Sequence, residues 1–125
     1  MRLELPLLHQ ELRDDEVVSI RSSTIFEIDT SVYAEERWEK NFPDLAKKES
    51  LFQYIDRVKN ESITDRVRLT AMLKAIYCFI ESDAVPTYKD FAKLFSLSDS
   101  KYTEELINKL ITAFKAICGS SSVKN

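Results

Sequence analysis

Residues 64–82, "TDRVRLTAMLKAIYCFIES", constrain the fold more than any other stretch of the chain. At helical spacing, Leu69, Met72, Leu73, Ile76, Tyr77, Phe79 and Ile80 spread around most of the circumference, and no acid falls between Asp65 and Glu81. A helix that is apolar nearly all round is stable in water only when other elements surround it. The rest of the chain therefore has to wrap around this one. A chain of 125 residues suffices, since at that size roughly two thirds of the unfolded surface is buried without a disulfide or metal staple. The expectation is a mainly α single domain over residues 1–119, a bundle of about five helices with a small N-terminal β element. Residues 1–28 are expected to be extended and residues 120–125 to form a flexible tail.

The surrounding segments carry their own signals. Leu3, Leu5 and Leu7 share one parity, and after the polar break "HQELRDDE" the residues Val18, Ile20, Ser22, Thr24, Phe26 and Ile28 share another, which is the pattern of extended chain. Asp29, Thr30 and Ser31 offer capping oxygens ahead of Ala34, Trp38 and Phe42 at i, i+4 and i+8. A helix over 31–41 follows, and Pro43 ends it. Leu51, Ile55 and Val58 define a second amphipathic helix with Ser50 at its start. Thr87 caps a short helix ending near Phe95, with Pro86 placed to pack on Phe91. Leu106, Ile107, Leu110, Ile111, Phe114 and Ile117 set the last helix, about Ser100 to Cys118, with Gly119 suited to the position after its end.

Composition removes several kinds of function. One glycine in the whole chain argues against loops that cradle phosphates, which need close backbone approach at several positions. His9 is the only histidine, and no cysteine or carboxylate pair accompanies it at ligand spacing, so no metal site is expected. Glu35, Glu36 and Glu39 read as the solvated face of a helix rather than as catalytic carboxylates. No catalytic or cofactor-binding residue is assigned, and the chain is expected not to be an enzyme; a small hydrolase with an unrecognised carboxylate site is the remaining enzymatic alternative. Cys78 and Cys118 both lie in apolar helical patterns, where a thiol acts as a small hydrophobe. The N-terminus lacks the layout of a signal peptide and no stretch reaches the length of a membrane span, so a soluble intracellular protein is expected.

Net charge is −3, which disfavours general binding to polyanions. One segment, residues 87–110, has the cadence of a helix-turn-helix and supplies the alternative reading of a DNA-binding regulator. Against it, the second helix would present Glu104 and Glu105 to phosphates.

Contact with another protein is the remaining use of the surface. Trp38 reads mainly as core, with Ala34 and Phe42, yet its edge and the neighbouring Tyr33 would lie at the rim of the domain. That placement would leave the indole half buried. Arg66, Arg68 and Lys74 form a cationic stripe on the central helix that either pairs with the acid-rich first half of the chain or faces a partner. Tyr33, Trp38, Phe42, Arg66 and Arg68 are accordingly the candidate partner-binding residues.

The order of segments carries a resemblance. "IFEIDTSVYAEERWEKNFPDLAKKESLFQYIDRV", then "LKAIYCFIESDAVPTYKDFAKLF" and a last helix, resembles the tail assembly chaperones of long-tailed phages and prophages of Gram-positive bacteria, over roughly Phe26 to Ile117. The shared pattern is an "EIDTS" segment, an aromatic-bearing charged helix closing in "NFP", a "SLFxYI" helix, a "YCF" helix and a "PTY…F" turn. The resemblance implies a small, largely helical, non-enzymatic protein of viral morphogenesis. It implies a protein that binds the tape-measure protein, acts in the host cytoplasm and is absent from the finished virion. The major tail protein is a further candidate partner, and copies of the chain are expected to associate with one another. Members of that family often continue by ribosomal frameshifting into a longer product.

Overall fold

The computed structural model describes residues 1–60, 64–81 and 85–119. It opens with a long antiparallel hairpin, β1 (Arg2–Arg13) and β2 (Glu16–Glu27), paired without a bulge from Arg2↔Glu27 to Arg13↔Glu16. The turn is Asp14–Asp15, both at positive φ (51° and 64°), which is the primed geometry that matches strand twist and which aspartate tolerates better than most residues. This corrects the sequence reading in one respect. The polar stretch "HQELRDDE" does not break the extended segment; it is the outer half and turn of the hairpin, and the expected small N-terminal β element is this two-stranded sheet.

Six helices follow among the described residues: α1 (Val32–Asn41), α2 (Pro43–Ala46), α3 (Leu51–Asn60), α4 (Asp65–Phe79), α5 (Tyr88–Ala92) and α6 (Ser100–Gly119). The expected five are all present. The sixth arises because Pro43, having ended α1, occupies the first turn of α2, where its missing N–H has no helical partner to lose. The helix α6 runs through Gly119 rather than stopping before it, and the expected tail 120–125 lies outside the described residues.

Local chemistry explains the helix starts. The Ser31 hydroxyl accepts from Tyr33 N–H at the head of α1, Thr64 from Val67 N–H at α4, and Thr87 from Asp90 N–H at α5. Ser50 and Gln53 make a reciprocal box: Gln53 N–H donates to the Ser50 hydroxyl (3.2 Å) and Ser50 N–H to the Gln53 side chain (2.8 Å). Glu35 is more than a solvated acid, since its carboxylate accepts from Leu51 N–H at 3.1 Å and so caps α3 from α1.

The helix α4 is the axis of the fold. Leu69, Met72, Leu73, Ala75, Ile76, Tyr77, Cys78 and Phe79 are all buried, and α1, α3, α5 and α6 pack around it. Each large side chain withdrawn from water contributes about 1.5–3 kcal/mol, and the buried apolar residues form a single cluster that includes Leu3, Leu5, Leu8 and Phe26 from the hairpin. A chain of aromatic rings crosses this core: Tyr54, Trp38, Phe42, Tyr88, Phe91 and Phe95 follow one another at centroid distances of 4.7, 5.4, 5.3, 6.5 and 5.0 Å. Phe91 is wholly buried against Tyr77, Phe95 and Phe26, whereas Pro86 is exposed.

The hairpin is fastened along its inner half. Asp29 N–H donates to Phe79 O (2.7 Å) and Glu81 N–H to Glu27 O (3.0 Å), which closes the edge of β2 against the end of α4. Leu8 uses both backbone groups outward, N–H to Leu94 O (3.2 Å) and O from Ser96 N–H (2.8 Å). Toward the tip, Leu12 and Val17 face each other across the strands while 71% and 66% exposed.

Candidate functional site

Trp38 is fully enclosed at 0% exposure, and its indole N–H donates to Glu49 O at 3.0 Å. The core role is what the structure displays, and the half-buried rim placement is corrected: the rings of Phe42 and Tyr54 and the Glu49 carbonyl lie against the indole, and Trp38 has no surface to offer a partner. Phe42 is partly buried between Trp38 and Tyr88. Tyr33 is 60% exposed, with the Arg37 guanidinium 5.1 Å over its ring. Arg66 is exposed on α4, and Arg68 is half-buried, 3.8 Å from Asp65 of its own helix. The five expected contact residues therefore do not form one patch.

The residue that sequence reasoning missed is Arg37. Its Nε donates to Cys78 O at the C-terminal end of α4 (2.5 Å) and its Nη2 to the Asp29 carboxylate (3.3 Å), both bonds partly buried. A cation at the negative end of the central helix is favourable on its own account. Asp29 in turn accepts from Ser31 N–H (2.9 Å), and these Ser31 bonds, with Arg37 adding to them, hold its carboxyl below the usual carboxylate range. One network thus joins the "EIDTS" segment to the "YCF" helix. An arginine inside a charged helical run carries no sequence signal of such a role.

A groove of about 260 Å³ lies between α3, α4 and α6. From α3 it takes Tyr54, Ile55, Val58 and Lys59; from α4 Arg68, Ala71, Met72 and Ala75; from α6 Ile111, Phe114, Lys115 and Cys118. Its origin lies in α4: Ala71 and Ala75, one turn apart, are short on a helix otherwise lined with large side chains, and the flanking helices do not fill the space. The floor is apolar and all three charged residues of the lining are cations, with Lys59 and Lys115 exposed at the rim. Neither cysteine is in a disulfide. Burial pushes the Cys118 thiol up, with Lys59 opposing and Asp56 assisting, and burial raises Cys78 to about 12.

A second depression holds Tyr33, Glu36, Arg37, Lys40 and Tyr77, but it is more polar and carries charges of both signs. At the start of α6, Ser100, Lys101, Glu104 and Glu105 are exposed and Tyr102 turns inward. Tyr102 is buried with its hydroxyl donating to Pro6 O (2.8 Å), and Glu105 is paired with Arg21 of β2. Among the described residues no group of three histidine, cysteine or acidic side chains is placed to hold a metal, and no helix is long and apolar enough to cross a membrane. No family model, curated protein or solved structure matches the chain.

Proposed function

We propose that this protein is a tail assembly chaperone of a phage or prophage: a non-enzymatic protein that binds the tape-measure protein and assists tail-tube assembly in the bacterial cytoplasm. The observation that carries the reading is the run of segments from Phe26 to Ile117 that resembles that family. Those segments are also the ones that seat the helices on one another. "EIDTS" supplies Asp29 and Ser31 to the Arg37 network, "NFP" ends α1 and begins α2, "SLFxYI" supplies Leu51, Tyr54 and Ile55 to the core, and "YCF" ends the central helix. Geometry adds a groove bounded by three helices, a shape that an amphipathic partner helix occupies in many complexes.

Self-association belongs to the same reading, because copies linked to their neighbours along a repetitive partner gain effective concentration. The deciding experiment is co-expression with tagged fragments of a phage tape-measure protein, taken from the neighbouring genes where one is encoded there. Stoichiometric co-purification is the expected result. Recovery of the chain alone, with every fragment soluble, would remove the reading.

A further inference from the structure

We propose that the groove between α3, α4 and α6 is a docking site for an acidic amphipathic helix of a partner protein, its apolar face laid on Ala71, Ala75 and Phe114 and its carboxylates meeting Lys59, Arg68 and Lys115. The inference deepens the protein-binding reading above and rests on it.

Three observations converge on this groove. It is a built concavity, about 260 Å³, room for a few side chains and not for a folded domain. Its floor is made by short side chains on the most buried helix of the fold, so a visitor's side chains reach the core's edge rather than a flat surface. Its charges have one sign although the chain as a whole is net negative, at −3. Asp56 and Asp65 stand nearby, the first by Cys118 and the second 3.8 Å from Arg68, but neither lines the groove.

An apolar slot ringed by cations fits a helix whose leucine-like stripe is flanked by glutamate or aspartate, and it repels the basic version of the same helix. The charged flanks fix register and partner choice, while the apolar stripe supplies the contact area. Cys118 lies in the lining and gives the site a built-in reporter, with the wholly buried Cys78 as the internal reference.

The test uses the full chain and two synthetic peptides of equal length, each with leucine at the i, i+3, i+4 and i+7 positions, one with glutamate and the other with lysine elsewhere. Binding is read by anisotropy of the labelled peptide and by the rate of Cys118 alkylation. The glutamate peptide is expected to bind and to slow alkylation of Cys118 at least tenfold, and the lysine peptide to do neither. Lys115→Glu reverses an exposed charge, and Ala71→Phe fills the slot. Each is expected to weaken the glutamate peptide at least tenfold while leaving the unfolding midpoint near that of the parent; Lys115→Arg, a second exposed variant, should bind as the parent does.

Equal binding of both peptides, no binding of either, or undiminished binding by Lys115→Glu would overturn the proposal. Two results separate it from the broader function. Tape-measure fragments that co-purify equally with the parent and the two groove variants would leave the function standing and remove the groove. Peptide binding without any tape-measure co-purification would do the reverse.

Discussion

The indole N–H of Trp38 on α1 donates to the carbonyl of Glu49 at the threshold of α3, 3.0 Å away and out of contact with water. That bond fixes the path between the two helices, and Tyr54, with its ring centroid 4.7 Å from the indole, completes the contact. The charges around Trp38 in sequence belong to the outer side of α1, where Glu36, Glu39 and Lys40 are exposed.

Replacing Trp38 with alanine is expected to cost about 3–5 kcal/mol, the usual loss for a large buried aromatic. Trp38→Phe keeps most of the ring and loses the N–H, so a smaller penalty of about 1–3 kcal/mol is expected from the stranded Glu49 carbonyl. Urea unfolding of the three proteins measures both. An alanine variant as stable as the parent would show that the site collapses without loss and that the indole is not a structural anchor.

The Asp29 network gives stability a defined pH dependence. Its carboxyl is depressed in the folded state, chiefly by the Ser31 hydrogen bonds and then by Arg37. The unfolded chain therefore binds a proton first as pH falls. The stabilisation is complete above the ordinary aspartate value of about 3.9 and is lost as pH drops through the folded value below it. Asp29→Asn removes that term, so the stability gap between parent and variant should be widest near pH 6 and shrink below about pH 4. Denaturation midpoints at several pH values check this, and a gap that stays constant down to pH 2 would exclude the network as its source.

Much of this was legible in the sequence, for physical reasons that differ by element. The helix α4 declared itself because a surface that is apolar all round has only one place to go. The starts of α1 and α5 were readable because Ser31 and Thr87 act on their own backbones within three residues. The hairpin was under-read because its outer half has no core to pattern it: His9, Gln10, Glu11 and Arg13 alternate nothing against water. The groove was not legible at all, except for Arg68. Ala71 and Ala75 look like ordinary helix formers in the sequence, and the gap they leave exists only once α3 and α6 are placed on either side. Arg37 escaped notice for the same reason, since Cys78 O and Asp29 reach it only through the fold.

Tyr102→Phe should loosen the hairpin without unfolding the helices. The phenol is buried, with its pKa pushed up to about 12 by burial first of all, and its hydroxyl serves Pro6 O. Losing that bond is expected to cost about 1–3 kcal/mol, because the acceptor remains buried. Amide exchange should accelerate first at Leu8 and Ser96, whose N–H groups lie at the same seam. Uniform acceleration throughout α4 and α6 would instead place Tyr102 in the global core.

The bond from Tyr102 to Pro6 joins residues 96 apart in the chain, and with the Leu8 to Leu94 and Ser96 bonds it ties the first strand to the last helix and the segment that leads into it. A ribosome delivers those partners in the wrong order. The hairpin, carrying Leu5, Pro6 and Leu8, emerges well before Leu94, Ser96 and Tyr102, which close over it. Until then the outward groups of Leu8 stand open on a strand edge, the kind of edge that recruits foreign strands. Synthesis thus leaves the first strand uncovered until residues 94–102 have been made, and a nascent chain halted before residue 94 presents an adhesive edge rather than a smaller version of the fold.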